Sequence, residues 1–91
     1  LCPTMGMVPM KLDGRAPEEI ITPEIGHNLL GFTSPFSLGG NPTISVPCGF
    51  SSDGLPLSLT LAGRHDQEAL VLRAGYAYEQ ATTWHTRRPP V

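Results

Sequence analysis

Charge is the first thing this sequence is short of. Asp, Glu, Lys and Arg make up 15% of its 91 residues, where a soluble domain usually carries about 25%. The shortage is uneven, because between Ile25 and Gly63 the only formal charge is Asp53. A small free-standing domain must solvate its surface, so a charge-empty middle argues that this stretch lies against more protein. Basic residues are few as well. Six Lys and Arg, adjacent only at Arg87-Arg88, and a net charge of −2 leave no electrostatic footprint for nucleic acid. No apolar run approaches the ~20 residues of a membrane helix. No basic segment leading into an apolar one marks a signal peptide. Two cysteines, Cys2 and Cys48, cannot staple a secreted mini-domain and fit a reduced, cytoplasmic setting. There is no internal repeat, and the length allows one domain at most. The first residue is Leu1 rather than Met, which reads as a processed chain or an excerpt of a longer one.

Glycine and proline, in contrast, are abundant. Ten of each is about twice the usual share. They punctuate the chain into three stretches: 1–31, 32–63 and 64–91. In the first, Pro3, Pro9 and Pro17 break helices and Asp13-Gly14 marks a turn, so 1–31 reads as an irregular connection. Leu1-Cys2-Pro3-Thr4 reads as a strand end. In the second, Thr33 or Ser34 can cap a helix that Pro35 opens and Gly39-Gly40 stops. Two period-two runs follow. Ile44, Val46, Cys48 and Phe50 are expected on one face of a strand, with Ser45, Pro47 and Gly49 on the other. Leu57, Leu59 and Leu61 alternate with Ser58, Thr60 and Ala62. Asp53-Gly54 between them predicts an antiparallel hairpin. Pro47 predicts an edge position or a bulge. The small, uncharged back faces are open to close approach by another layer or, alternatively, to solvent. In the third stretch, Asp66 is expected to cap a long helix whose inner face is Leu70, Ala74, Ala77, Ala81 and Trp84. Burying Leu57, Leu59, Leu61 and Leu70 would contribute ~1.5–3 kcal/mol each.

Few residues could run a reaction. His27, His65 and His85 show no metal-ligand spacing with either cysteine, so no metal site is expected. Cys48, among the apolar positions of a strand, reads as a buried, inert thiol rather than a nucleophile. His65-Asp66 reads as an exposed histidine beside a helix cap. Gly39-Gly40-Asn41 lacks the company of a phosphate-binding motif and reads as a helix stop and turn. No Gly-x-Ser-x-Gly elbow is present. Tyr76, Tyr78 and Trp84 are expected to pack, and Arg87-Arg88 to form a solvated tail.

The ordered run from Phe32-Thr33-Ser34-Pro35-Phe36-Ser37-Leu38-Gly39-Gly40-Asn41-Pro42 through Val46-Pro47-Cys48-Gly49-Phe50, Asp53-Gly54-Leu55-Pro56 and Leu61-Ala62-Gly63-Arg64 closely resembles the C-terminal region of the amidase signature family. The likeness continues through Leu72-Arg73-Ala74 and Ala77-Tyr78-Glu79-Gln80-Ala81-Thr82 to Trp84-His85 and Arg87-Arg88-Pro89-Pro90. Ser37 stands where the family often has Asn, and Thr43 where Ala is common. The resemblance implies an α/β fold: the C-terminal part of a mixed-sheet amidase, here a β-hairpin, a short helix and a long C-terminal helix, with 1–91 forming one segment of the amidase domain. It implies hydrolysis of a small-molecule amide by a Ser-cisSer-Lys triad in an upstream Gly/Ser-rich region. No residue of this chain takes a catalytic role. Neither a metal nor an organic cofactor is implied.

Phe32, Thr33 and Phe36 are the candidate substrate-binding residues. They form either one wall of the acyl pocket or a helix cap with two core aromatics. In the glutamyl-tRNA amidotransferase A subunits of the family an acidic residue tends to precede the Thr-x-Pro. Here the preceding residues are Leu29, Leu30, Gly31 and Phe32, which favours a general amidase acting on a less polar acyl group. The expected partner is the rest of the amidase domain, with a homodimer allowed and neither nucleic acid nor membrane. Three other readings compete: a fragment of a glutamyl-tRNA amidotransferase A subunit, a binding or regulatory module that reuses this layer, and a redox or metal role for Cys48.

Overall fold

The computed structural model describes residues 1–90 and is mixed α/β. In chain order it contains β1 (Cys2–Pro3), α1 (Pro17–Ile20), α2 (Pro23–Leu30), α3 (Ser34–Gly39), β2 (Thr43–Phe50), β3 (Pro56–Ala62), α4 (Glu68–Ala81) and a 3₁₀ turn over Trp84–Thr86. The strands form one sheet in the order β1-β3-β2, antiparallel throughout. These strands alone therefore do not make the mixed sheet that the resemblance implies. The stretch 1–31 is also less irregular than expected, since it carries α1 and α2. Pro17 and Pro23 sit in the first turns of these helices, where a missing N–H costs nothing. Thr22 caps α2 by accepting from the Ile25 amide at 3.3 Å.

The hairpin has the expected pairing and one irregularity. Ile44 pairs with Leu61, Ser45 with Thr60, Val46 with Leu59 and Pro47 with Ser58, but Leu57 then pairs with Gly49. Cys48 is the extra residue of a bulge. The simple alternation expected for Ile44, Val46, Cys48 and Phe50 therefore breaks at Cys48, and Gly49 takes the place across from Leu57. Pro47 meets both of its expectations: β2 is an edge strand, and the bulge follows at once.

The α4 helix covers the face carrying Ile44 and Leu61, and it lies very close. A Cβ on Gly75 would stand 2.7 Å from Ile44 Cδ1, and one on Gly63 would stand 2.6 Å from Val71 Cγ2. The buried residues of α4 are accordingly Val71 and Gly75, with Tyr78 and Thr82 half-buried beyond them. The buried face is displaced by one residue from the expected one. Ala74, Ala77 and Ala81 are exposed and Leu70 is 52% exposed, because the contact with the sheet is made through a glycine. Asp66 does not cap the helix. It takes a left-handed φ of 61° in the preceding turn, and Gln67 occupies the cap position without a side-chain bond. Trp84 leaves the helix altogether. It packs edge-on against Phe50 with ring centroids 6.2 Å apart, and the Arg87 guanidinium lies 4.6 Å from the centroid of the same ring. Arg87 is thus held on an aromatic face rather than free in a tail.

The opposite face of the hairpin carries Thr43, Ser45, Ser58 and Thr60, and α3 lies over part of it. Thr60 is buried there. Its hydroxyl bonds the Thr4 hydroxyl at 2.9 Å and the Ser45 hydroxyl at 3.3 Å, linking β3 to β2 and to the residue that follows β1. The resulting core is thin. Val46, Val71 and Thr60 are buried, whereas Leu57, Leu59 and Leu61 are only half-buried. The radius of gyration is 15.0 Å, against about 12 Å for a compact domain of this length. The accessible surface is 6834 Å², roughly 1,700 Å² more than a folded monomer of this mass exposes. A molecule of 41 × 33 × 18 Å is a thin slab, with much of its apolar surface left outside.

Candidate functional site

The segment that links α3 to the sheet is fixed by its glycines and by Asn41. Gly40 has φ 69°, the left-handed value that ends a helix, and its amide donates to Phe36 O. The Asn41 amide nitrogen donates to Gly63 O at 3.0 Å, and the Gly63 N–H donates to Pro42 O at 3.0 Å. His65 adds a ring-nitrogen hydrogen bond with Gly39 O. The histidine expected to stand free beside a cap is therefore tied to the end of α3. Thr33 does not cap α3 as expected. Its backbone is helical, and its hydroxyl donates back to Leu30 O at 3.3 Å.

This arrangement brings Thr33 and Phe36 to the rim of a cavity of about 120 Å³ between α3 and the sheet, with Ser37, Asn41, Thr43, Ser45 and Thr60 as its other lining residues. No lining residue carries a charge. Phe32 is not among them. It is 39% exposed and lies beside Gly6, where a Cβ would stand 3.3 Å from its ring. Two of the three candidate substrate residues thus share a cavity and the third points elsewhere. The hydroxyl floor from Ser45 and Thr60 is not among the residues that the sequence singles out. Its signal is present in the Ser/Thr positions of the hairpin's back face.

A larger cavity of about 530 Å³ opens at the β1 side of the sheet, where Met5, Met7, Cys48, Leu57 and Leu59 face it. Cys2 borders it too. Cys48, expected to be buried and inert, is half-buried and stands on this apolar wall, because the bulge displaces it from the covered part of the strand. Among the described residues no three His, Cys, Asp or Glu side chains gather where an ion could be held. No described helix is long and apolar enough to cross a membrane.

The family model described as Amidase matches residues 1–72. Among curated proteins, the glutamyl-tRNA(Gln) amidotransferase A subunit of Synechococcus sp. (strain JA-2-3B'a(2-13)) is 56% identical over 59 residues, which is 65% of this chain and 11% of that protein. The corresponding A subunit of Chloroflexus aggregans is 58% identical over 57 residues, 63% of this chain and 12% of that one. The "Putative amidase AmiD" of Mycobacterium bovis is 45% identical over 69 residues, 76% of this chain and 14% of that protein. The chain therefore spans only a small part of the relatives that it matches. No solved structure matches it. With the family model covering most of its length, and with its Thr-Ser-Pro-Phe turn, its hairpin and the start of α4 all inside the match, the chain belongs to the amidase family.

Proposed function

We propose that this chain supplies C-terminal strands and a covering helix to an amidase that hydrolyses carboxylic amides, with the Ser-cisSer-Lys triad outside this chain. The observation that carries the reading is the family match over residues 1–72. Such a piece contributes shape rather than reacting groups. Thr33 and Phe36 form part of the acyl-pocket wall through the uncharged cavity beneath α3, and Phe32 flanks it. The protein acts in the cytoplasm, on small-molecule amides, with the rest of the amidase domain as its partner.

Two substrate classes compete. The absence of an acidic residue just before Thr33 supports a less polar acyl group, since a carboxylate is the natural partner of an ammonium-bearing amino acid amide. The amidotransferase relatives support glutamine. The test is a graft. The matching segment of the Synechococcus protein is replaced by this chain, and release of ammonia is measured from glutamine, aliphatic amides and aryl amides. Preference for aliphatic or aryl amides supports the first class and preference for glutamine the second. A soluble graft with no turnover on any amide overturns the amidase reading.

A further inference from the structure

The chain has three faces on which more protein could sit: the outer side of α4, the polar back of the hairpin and the apolar cavity at β1. We propose that the cavity at β1, with the unpaired outer edge of that strand, is the surface on which the remainder of an amidase polypeptide docks, inserting apolar side chains between Met5, Met7, Cys48, Leu57 and Leu59. This proposal rests on the amidase reading and adds which surface joins the chain to the rest.

Three observations choose this face. First, its lining is uncharged and, apart from Ser58, apolar, whereas α4 sets Arg73 and Gln80 among its exposed Leu70, Leu72 and Tyr76. Second, the cavity measures about 530 Å³, within the range of built binding clefts and large enough for several aliphatic side chains. Third, β3 is paired on both sides while β1 and β2 each keep one open edge among the described residues, and both residues of β1, Cys2 and Pro3, line the cavity. The open edge of β1 offers backbone groups beside the apolar wall, so one incoming strand could satisfy both. The amount of surface agrees. The chain exposes 6834 Å², and the excess of roughly 1,700 Å² over a compact monomer is about twice what one partner buries in a standard interface. That scale suits a domain core divided in two better than a transient contact. The relatives are long enough to provide the occupant, since the matched segment is 11% to 14% of their length.

The probe is the Synechococcus protein cut before its matching segment and expressed together with this chain. Co-purification and the rate of thiol labelling at Cys2 and Cys48 are measured. Both cysteines border the cavity, so labelling is expected to slow at least tenfold in the complex. Met7→Asp and Leu59→Asp are expected to weaken association at least tenfold, and Leu72→Asp and Tyr76→Asp on α4 to change it less than twofold. Met7 lies outside the helices and strands, so its variant guards against simple unfolding of the sheet. If the two cysteines label at the free rate in a stable complex, or if the α4 variants break association while the cavity variants do not, the proposal fails. Failure to associate at all also overturns it. Activity separates the two readings: a complex formed through the cavity but inactive on every amide leaves the docking surface standing and removes the function.

Discussion

The contact between Gly75 and Ile44 offers a sharp test of how α4 is seated. A methyl at residue 75 would meet Ile44 Cδ1 at 2.7 Å, well inside ordinary contact, while Ile44 Cγ2 and Cγ1 would lie at an acceptable 3.5 and 3.6 Å. Two opposed terms follow. Gly75→Ala gains about 1 kcal/mol of intrinsic helix stability. Overpacking costs ~1–3 kcal/mol unless the neighbour can yield. The single variant is therefore expected to loosen α4 by ~0–2 kcal/mol. Ile44→Val removes Cδ1 and costs ~0.5–1.5 kcal/mol, near the lower end because Ile44 is only half-buried. In the double variant the clash is gone and the helix gain remains, so α4 should return close to its original stability. Hydrogen exchange at the Val71 and Gly75 amides reads the opening of this helix directly. The two substitutions are expected to be coupled by ~1–3 kcal/mol. Effects that add to within ~0.5 kcal/mol, the tolerance for independent sites, would refute the close seating of α4 on β2.

Three further outcomes are expected. Thr60→Val breaks the hydroxyl links to Thr4 and Ser45 and should cost about 1–2 kcal/mol in a urea titration; no change would mean that these bonds are idle. Gly40→Ala forces a Cβ onto a left-handed residue at φ 69° and should cost ~1–2 kcal/mol, with Gly40→Asn losing visibly less in the same titration. Arg87→Gln removes a cation from the Phe50 ring, worth ~0.5–1 kcal/mol at an exposed site, and should shift the emission of Trp84, the chain's one tryptophan; an unchanged spectrum would count against the stack.

The hairpin and α3 are legible in the sequence because their signals are local. Period-two apolar residues, Asp53-Gly54 and Gly39-Gly40 each act within a few positions. The face of α4 is not legible, because a pattern of apolar residues cannot register a contact made by the absence of a side chain. Gly75 is invisible to it, and Ala74 and Ala77 fit the pattern in its place. The helix cap departs from expectation for a related reason. Asp66 has the right chemistry but turns left-handed, which residue type alone does not reveal. α1 is hidden by Pro17, whose breaking effect depends on which turn of a helix it occupies. At the candidate site Thr33 and Phe36 line one cavity, whereas Phe32 joins them in the sequence by adjacency alone. Neighbouring positions on this turn point to different places, and only the backbone path separates them.

The bulge at Cys48 also bears on chain length. In a regular hairpin, removing one residue from a strand turns every later side chain to the opposite face. Here the pairing passes from Pro47 to Gly49 over a residue that has no partner across the strand. Deleting Cys48 therefore preserves phase: Val46 and Gly49 stay on the covered side and the turn at Asp53-Gly54 is undisturbed. Deleting Ser45 instead would set the two halves of the strand at odds. Such a hairpin could shorten β2 by a residue only at the bulge, and would exchange the bend there for a straighter strand.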